Sequence, residues 1–294
     1  FHLTADGLGK FVSEWMPEGE LDFSNIAKGV IFMADAKASG HLNHLNAKAD
    51  LKSFIGDATA EVSFRDLIYN DGTISMTGRI DTDDLDLGRM LDSDMIHQCT
   101  VHASASAELS TDDRPSSFQI DTLLIDRLNF NKYDYSGIAA VGEMSSESFN
   151  GTIVSHDPNL NFIFQGGFAK SAKSRNTLYK FHANIGYADL NALNFDKRGT
   201  SKISLNSNAD FLSTKDKKIL GKVEVTDITL ENSDGRFNAG DIYLNSFSDN
   251  SMYKVGLDAD FAEGSFRGTA PIERFIKDLL NVTIGKELPA LLDN

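Results

Sequence analysis

Apolar residues occupy every second position through most of the chain. In residues 149–168, Leu160, Phe162 and Phe164 point one way, while Asn161, Ile163 and Gln165 point the other. Two such runs join there at His156-Asp157-Pro158-Asn159, which predicts a hairpin with one covered face. The same spacing gives Val30, Phe32, Ala34 and Ala36 a common side. It does so again for Val62 with Phe64, for Ile74, Met76 and Ile80, and for Val101, Ala103, Ala105 and Ala107. Ile203, Leu205 and Ala209 follow, then Val223 with Val225. Turn formers separate the runs: Asn70-Asp71-Gly72, Asp157-Pro158-Asn159, Asn232-Ser-Asp-Gly235 and Ser248-Asp-Asn250. Gly and Asn accept positive φ, so these are hairpin signals, and strands returning every 8 to 12 residues or so predict about twenty in all.

The chain also repeats. Ile80, Asp84 and Leu85 recur as Ile185, Asp189 and Leu190, each at an offset of 105 residues (185 − 80, 189 − 84, 190 − 85). Each copy follows a long strand and opens a short segment with helical spacing, for which Asp84 and Asp189 are placed as N-caps. Helical spacing appears in two further places. Lys10 to Met16 carries Phe11, Trp15 and Met16; Thr269 to Asn281 has a capping Thr269, Pro271 in the first turn, and Ile272, Phe275, Ile276, Leu279 and Leu280 on one face. The expected organisation is an N-terminal segment (1–19), a repeating β unit (20–268) and a C-terminal amphipathic helix with a tail (269–294).

Composition narrows the function. An apolar share of 41% with 24% charged residues describes a folded chain of 294 residues. A net charge of −15 argues against nucleic acid, whose phosphates need a basic face. Cys99 is the one cysteine, so no intramolecular disulfide forms, and its strand context reads as a small buried hydrophobe. No run approaches the ~18 apolar residues of a transmembrane helix, and no signal peptide opens the chain. Phe1 is not an initiator Met, so the chain is read as a slice of a longer protein, with any anchor upstream.

Catalytic motifs are missing: no phosphate-binding Gly loop, no Gly-x-Ser-x-Gly elbow, no His-Glu-x-x-His. His41 and His44 lie three apart, which in one strand puts them on opposite sides. Asp81, Asp83, Asp84 and Asp86 lack the Gly and the terminal Glu of a calcium loop and read as a solvated turn with a cap. Neither cofactor nor metal is implied. Paired carboxylates on a glycan-active β-helix remain a distant alternative.

Residues 130–168, "FNKYDYSGIAAVGEMSSESFNGTIVSHDPNLNFIFQGGF", resemble the TamB-like proteins of the Bacteroidota. The shared order is aromatic-x-Tyr, a strand, Phe-x-Gly, a strand, Asp-x-Asn-Leu, and a strand ending in Gly. "NIGYADLNALNF" (184–195), "RIDTDDLDLGRML" (79–91) and "KASGHLNHLNAKADL" (37–51) are similar to the segments that accompany it, and the likeness covers most of 20–270. The resemblance implies membership of the AsmA, TamB and YhdP superfamily. Its long antiparallel sheet curls into a taco-like groove, polar outside and apolar within. It further implies a periplasmic position within a protein anchored in the inner membrane, and carriage of phospholipid to the outer membrane. A TamA- or BamA-like outer-membrane partner, contacted outside this stretch, belongs to the same picture.

The expected fold is therefore all-β, a curled groove with short helices at its ends. Its lining is read as Val30, Phe32, Val62, Phe64, Ile74, Met76, Val101, Leu160, Phe162, Phe164, Phe181, Ile203 and Leu205. Such a lining suits acyl chains. Hydrating a sixteen-carbon chain costs on the order of 12 kcal/mol at ~0.8 kcal/mol per CH₂, and non-directional contacts remove that cost without holding the lipid tightly. Alternation alone is equally compatible with a β-sandwich core, and a β-solenoid is a third architecture. In function, the rival is a scaffold that lends its sheet edge to outer-membrane strands by β-augmentation.

Overall fold

Period-two patterning becomes strand almost everywhere in the computed structural model, which describes residues 2–4, 31–41, 43–68, 72–110, 116–171, 173–197, 199–215, 218–249 and 252–268. Eighteen strands and one short helix result: β1 (His2–Thr4), β2 (Ile31–His41), β3 (His44–Ser53), β4 (Gly56–Arg65), β5 (Thr73–Asp83), β6 (Leu85–Asp86), α1 (Leu87–Leu91), β7 (Ile96–Ser110), β8 (Ser117–Phe130), β9 (Tyr133–Tyr135), β10 (Ile138–Ser145), β11 (Ser148–Asp157), β12 (Leu160–Lys170), β13 (Thr177–Asp189), β14 (Ser201–Ser213), β15 (Ile219–Asn232), β16 (Gly235–Asp249), β17 (Met252–Ala259) and β18 (Ala262–Gly268). The two predicted terminal helices and Val30 lie outside the described residues. Phe32 is in β2, but its side chain is likewise not described.

All strands belong to one antiparallel sheet. From β2 to β5 each strand pairs with the next, then β5 with β7, β7 with β8 and β8 with β10. Nearest-neighbour pairing continues without a break from β10 to β18. β1 lies against β2, while β6 and β9 are short additions beside β7 and β8. The meander does not close into a barrel. A two-sheet sandwich is thereby set aside.

Bulges bend this sheet. β8 carries an extra residue at Asp126 and another at Asp121, β13 one at Gly186, and β15 one at Asp227. Each sets two residues against one, which kinks the strand and deepens its twist. Asp227 has φ of 55°, a left-handed turn that Asp tolerates better than most residues. That bulge also explains why the alternation through Val223 and Val225 breaks off before Ile228. Strands of up to fifteen residues would otherwise run straight for roughly 50 Å.

The two repeat segments hold one rim. Leu85 packs with Ile55 and Cys99 against Leu51, Leu87, Met90, Val101 and Leu128. In the second copy, Leu193 packs with Tyr135 and Ala188 against Leu190, Ile185, Ile203 and, again, Leu128. The expected caps need one correction. Asp189 does cap its segment, accepting from the Ala192 N–H at 3.0 Å. In the first copy the cap is Asp86, which accepts from the Arg89 N–H at 3.2 Å. Asp84 has φ of 47° and pairs with Arg127 instead, because β6 intervenes before the helix starts. The second segment forms turns rather than a helix. Cys99 is 1% exposed, and burial raises its thiol pKa, as befits a buried apolar residue.

Candidate functional site

Register turns the alternation into two faces of opposite character. Across fifteen strands, one row runs Ala38, Ala47, Val62, Gly78, Ala105, Ile120, Gly142, Gly151, Gly166, Phe181, Ala209, Val223, Leu244, Leu257 and Gly264. No polar side chain interrupts it. The neighbouring row on the same face includes Leu45, Phe64, Met76, Phe118, Met144, Phe149, Phe168, Tyr179 and Phe211. The opposite face between these rows reads Ser39, Asn46, Ser63, Thr77, Ser106, Gln119, Glu143, Asn150, Gly167, Lys180, Asp210, Lys222, Asn245, Gly256 and Ser265. At about 4.8 Å per strand, the apolar face extends for roughly 65 Å along the sheet.

Every expected lining residue whose side chain is described falls on that one face. Val62, Phe64, Ile74, Met76 and Val101 come from β4, β5 and β7, whereas Leu160, Phe162, Phe164, Phe181, Ile203 and Leu205 come from β12, β13 and β14. They are half-buried rather than sealed. Among the described residues, six of the twelve buried apolar side chains belong to the two rim clusters, and Ala107, Ala209, Tyr253 and Val255 are buried on the apolar face itself. All described strands belong to the one sheet, so among the described residues no second sheet packs on this face.

Character varies along it. β2 to β7 present mostly Ala, including Ala47, Ala49, Ala60, Ala103 and Ala105. β11 to β14 present a continuous aromatic ladder. Phe149 meets Phe168 at 6.4 Å, Phe168 meets Tyr179 at 6.0 Å, and Tyr179 stacks on Phe211 at 4.9 Å. Phe181 joins it, 5.6 Å from Phe164 and 6.4 Å from Phe211. Such offset and edge-on pairs add about 0.5–1.5 kcal/mol each beyond burial. Glycines allow close approach here: a Cβ at Gly151 would lie 2.9 Å from Phe149 Cζ, and one at Gly166 would run into the Lys180 carbonyl oxygen. Phe149, Phe168, Tyr179 and Phe211 were not among the expected lining residues, although their parity matches those that were.

A buried polar knot fixes the hairpin of β11 and β12 at the rim. Asp157, 3% exposed, accepts from Tyr133 Oη at 2.7 Å, from the Ser136 N–H at 2.9 Å and from the Asn159 N–H at 2.8 Å. Asn159 Nδ2 donates to Tyr133 Oη at 3.1 Å. Burial, then the Asp157 carboxylate, push the Tyr133 phenol up to about 12. The aromatic-x-Tyr and Asp-x-Asn-Leu elements are thus a structural clamp, with Leu160 delivered to the apolar face.

No family model, curated protein or solved structure matches the chain.

The polar face carries ion pairs between neighbouring strands, among them Lys48–Glu61 at 2.7 Å and Lys202–Glu231 at 3.1 Å. His41 and His44 need a correction here. They lie on successive strands and face each other directly in register, because a hairpin turn separates them. Among the described residues no group of three His, Cys, Asp or Glu side chains is placed to hold a metal. The acidic stretch is instead spent on local contacts. Asp81 pairs with Arg79 at 2.8 Å and with His102 Nδ1 at 2.7 Å, while His102 Nε2 lies 3.4 Å from Asp126.

That cluster predicts a pH window. Arg79 first, then His102, hold the Asp81 carboxyl down at about 2, and Asp81 raises the His102 imidazole. The Asp81 contribution is present above the ordinary carboxylate pKa and is lost as pH falls through about 2. The His102 contribution is complete below the ordinary imidazole pKa and is lost as pH rises through the shifted one. Both operate together between roughly pH 4 and 6.5. An NMR titration of the His102 ring should show an upward shift in the wild type that Asp81→Asn largely abolishes; an unchanged value would rule the pairing out.

Proposed function

We propose that the chain is a non-enzymatic lipid conduit whose apolar face shelters phospholipid acyl chains between two membranes. The observation that carries this reading is the row from Ala38 to Gly264, which no polar side chain interrupts at any strand it crosses. Among the described residues, a sheet with such a face presents a long, mostly apolar strip that water solvates poorly. An acyl chain laid on it gains non-directional contacts at every point and meets no polar hook that would arrest it. Ion pairs and hydroxyls on the opposite face keep the outside wet. The resemblance to TamB-like proteins points the same way and would place the conduit in the periplasm, within a longer anchored protein and near an outer-membrane partner of the TamA or BamA kind.

The test uses a photo-reactive residue at Phe164 on the apolar face and another at Gln165 on the polar one. In cells, ultraviolet light should join phospholipid to the protein from position 164 and not from 165. Equal labelling at both sites, or none at either, would refute the conduit. Should acidic substitutions in the groove leave outer-membrane biogenesis intact while prolines in the terminal strands abolish it, strand donation to a client protein would replace it.

A further inference from the structure

The polar face is not uniformly flat. Over β11 to β15 it sinks into a cleft of about 600 Å³ that includes Asn150, Gln165, His182, Asn208 and Glu224. A second hollow of about 390 Å³ shares Asn150 and Gln165 and continues it over β8 and β10. Register lays out the floor as a line, with Gln165 facing His182, His182 facing Asn208, Asn208 facing Glu224 and Glu224 facing Tyr243. Gly167, between Asn150 and Lys180, leaves a gap in the adjacent row.

We propose that this cleft binds a neutral oligosaccharide lengthwise across the strands, a role separate from the apolar face. Charge decides the class of ligand. Lys180 lies 3.9 Å from Asp210 and Lys222 3.2 Å from Glu224, so each cation is already matched and a polyanion finds no unpaired positive charge. What is left over is amide chemistry. The side-chain amides of Asn150 and Gln165 line the cleft with no hydrogen bond to any described residue, and each offers two donors and two lone pairs. Hydroxyl groups, each donor and acceptor at once, match that supply, whereas an apolar ligand would strand it. Tyr243 ends the line with its ring half-exposed and its hydroxyl held by Asp241 at 3.1 Å, a fixed apolar plate beside polar groups. The strand repeat of about 4.8 Å is close to the length of one hexose unit, so successive side chains meet successive sugars.

The experiment follows the side-chain amide signals of the full chain by NMR during titration with cellohexaose, chitohexaose and maltohexaose, and with polygalacturonate as the charged control. One or more neutral hexaoses should shift the Asn150 and Gln165 signals. Gln165→Ala and Tyr243→Ala should each weaken that binding about threefold to tenfold, the range expected for one hydrogen bond or one ring contact. Tyr179→Ala, on the opposite face, should leave it unchanged. No shift with any neutral sugar, tighter binding of polygalacturonate, or binding indifferent to Gln165→Ala would each overturn the proposal. None of these outcomes bears on lipid labelling at position 164, so the two readings fail separately.

Discussion

Phe181→Asp should abolish acyl-chain uptake while the chain stays folded. Phe181 stands where the wholly apolar row meets the aromatic ladder, between Phe164 and Phe211. Its ring is half-buried, so a carboxylate there keeps part of its hydration in the empty protein. A bound acyl chain would have to strip that hydration, at a cost of several kcal/mol, and would also lose the contact area of the ring, about 1.5–3 kcal/mol. Phospholipid recovered with the purified variant should therefore fall at least about tenfold, read by mass spectrometry of the extracted lipid. Lys180→Asp, one residue away on the polar face, should retain the wild-type amount. Equal lipid loads in the two variants would disconnect the apolar face from lipid. A collapse of the Phe181→Asp circular dichroism spectrum would mean that the ring is core.

Leu193→Ala should have the opposite profile, with large loss of stability and little direct effect on the groove. Leu193 is 1% exposed and sits in the rim cluster with Tyr135 and Ala188. Its carbonyl accepts from Asn131 Nδ2 at 3.3 Å, tying the second repeat segment to the β8–β9 turn. Truncating a sealed Leu removes its transfer free energy and leaves a cavity, together about 2–5 kcal/mol. For a chain of this size that corresponds to a fall in Tm of roughly 5–15 °C. Phe211→Ala, on the open face, should cost clearly less although the side chain is larger, because little is left behind to form a cavity. Chemical denaturation of both variants checks the ranking; a smaller loss for Leu193→Ala would show that the rim clusters are not where the sheet is held.

These two residues also mark what the sequence made legible. Parity along a strand is local, so Phe162, Phe164, Phe181, Ile203 and Leu205 could be assigned to one face without knowing their partners. The continuity of that face could not, because it depends on register between strands: a shift of one residue would have turned Phe168 away from Tyr179. Bulges were equally hidden. Asp126 and Asp227 look like ordinary polar strand positions, and only pairing shows the extra residue. The repeat aligns Asp84 with the capping Asp189, whereas the two-residue β6 moves that role to Asp86. Spacing within one strand puts His41 and His44 on opposite sides, whereas the turn between them sets them face to face. Leu193 had no signal of its own, since its burial depends on Tyr135, far away in sequence.

The order of strand pairing has one more consequence. From β11 to β17, each strand pairs in the ladder with the one before it and the one after it in the chain, as in repeat proteins that grow along a single axis. Inserting or deleting a hairpin there lengthens or shortens the trough by two strand widths, about 10 Å, and leaves its cross-section alone. Span and bore are therefore separate variables, so evolution or design can match this architecture to a gap of any width by counting hairpins, without repacking a single side chain inside it.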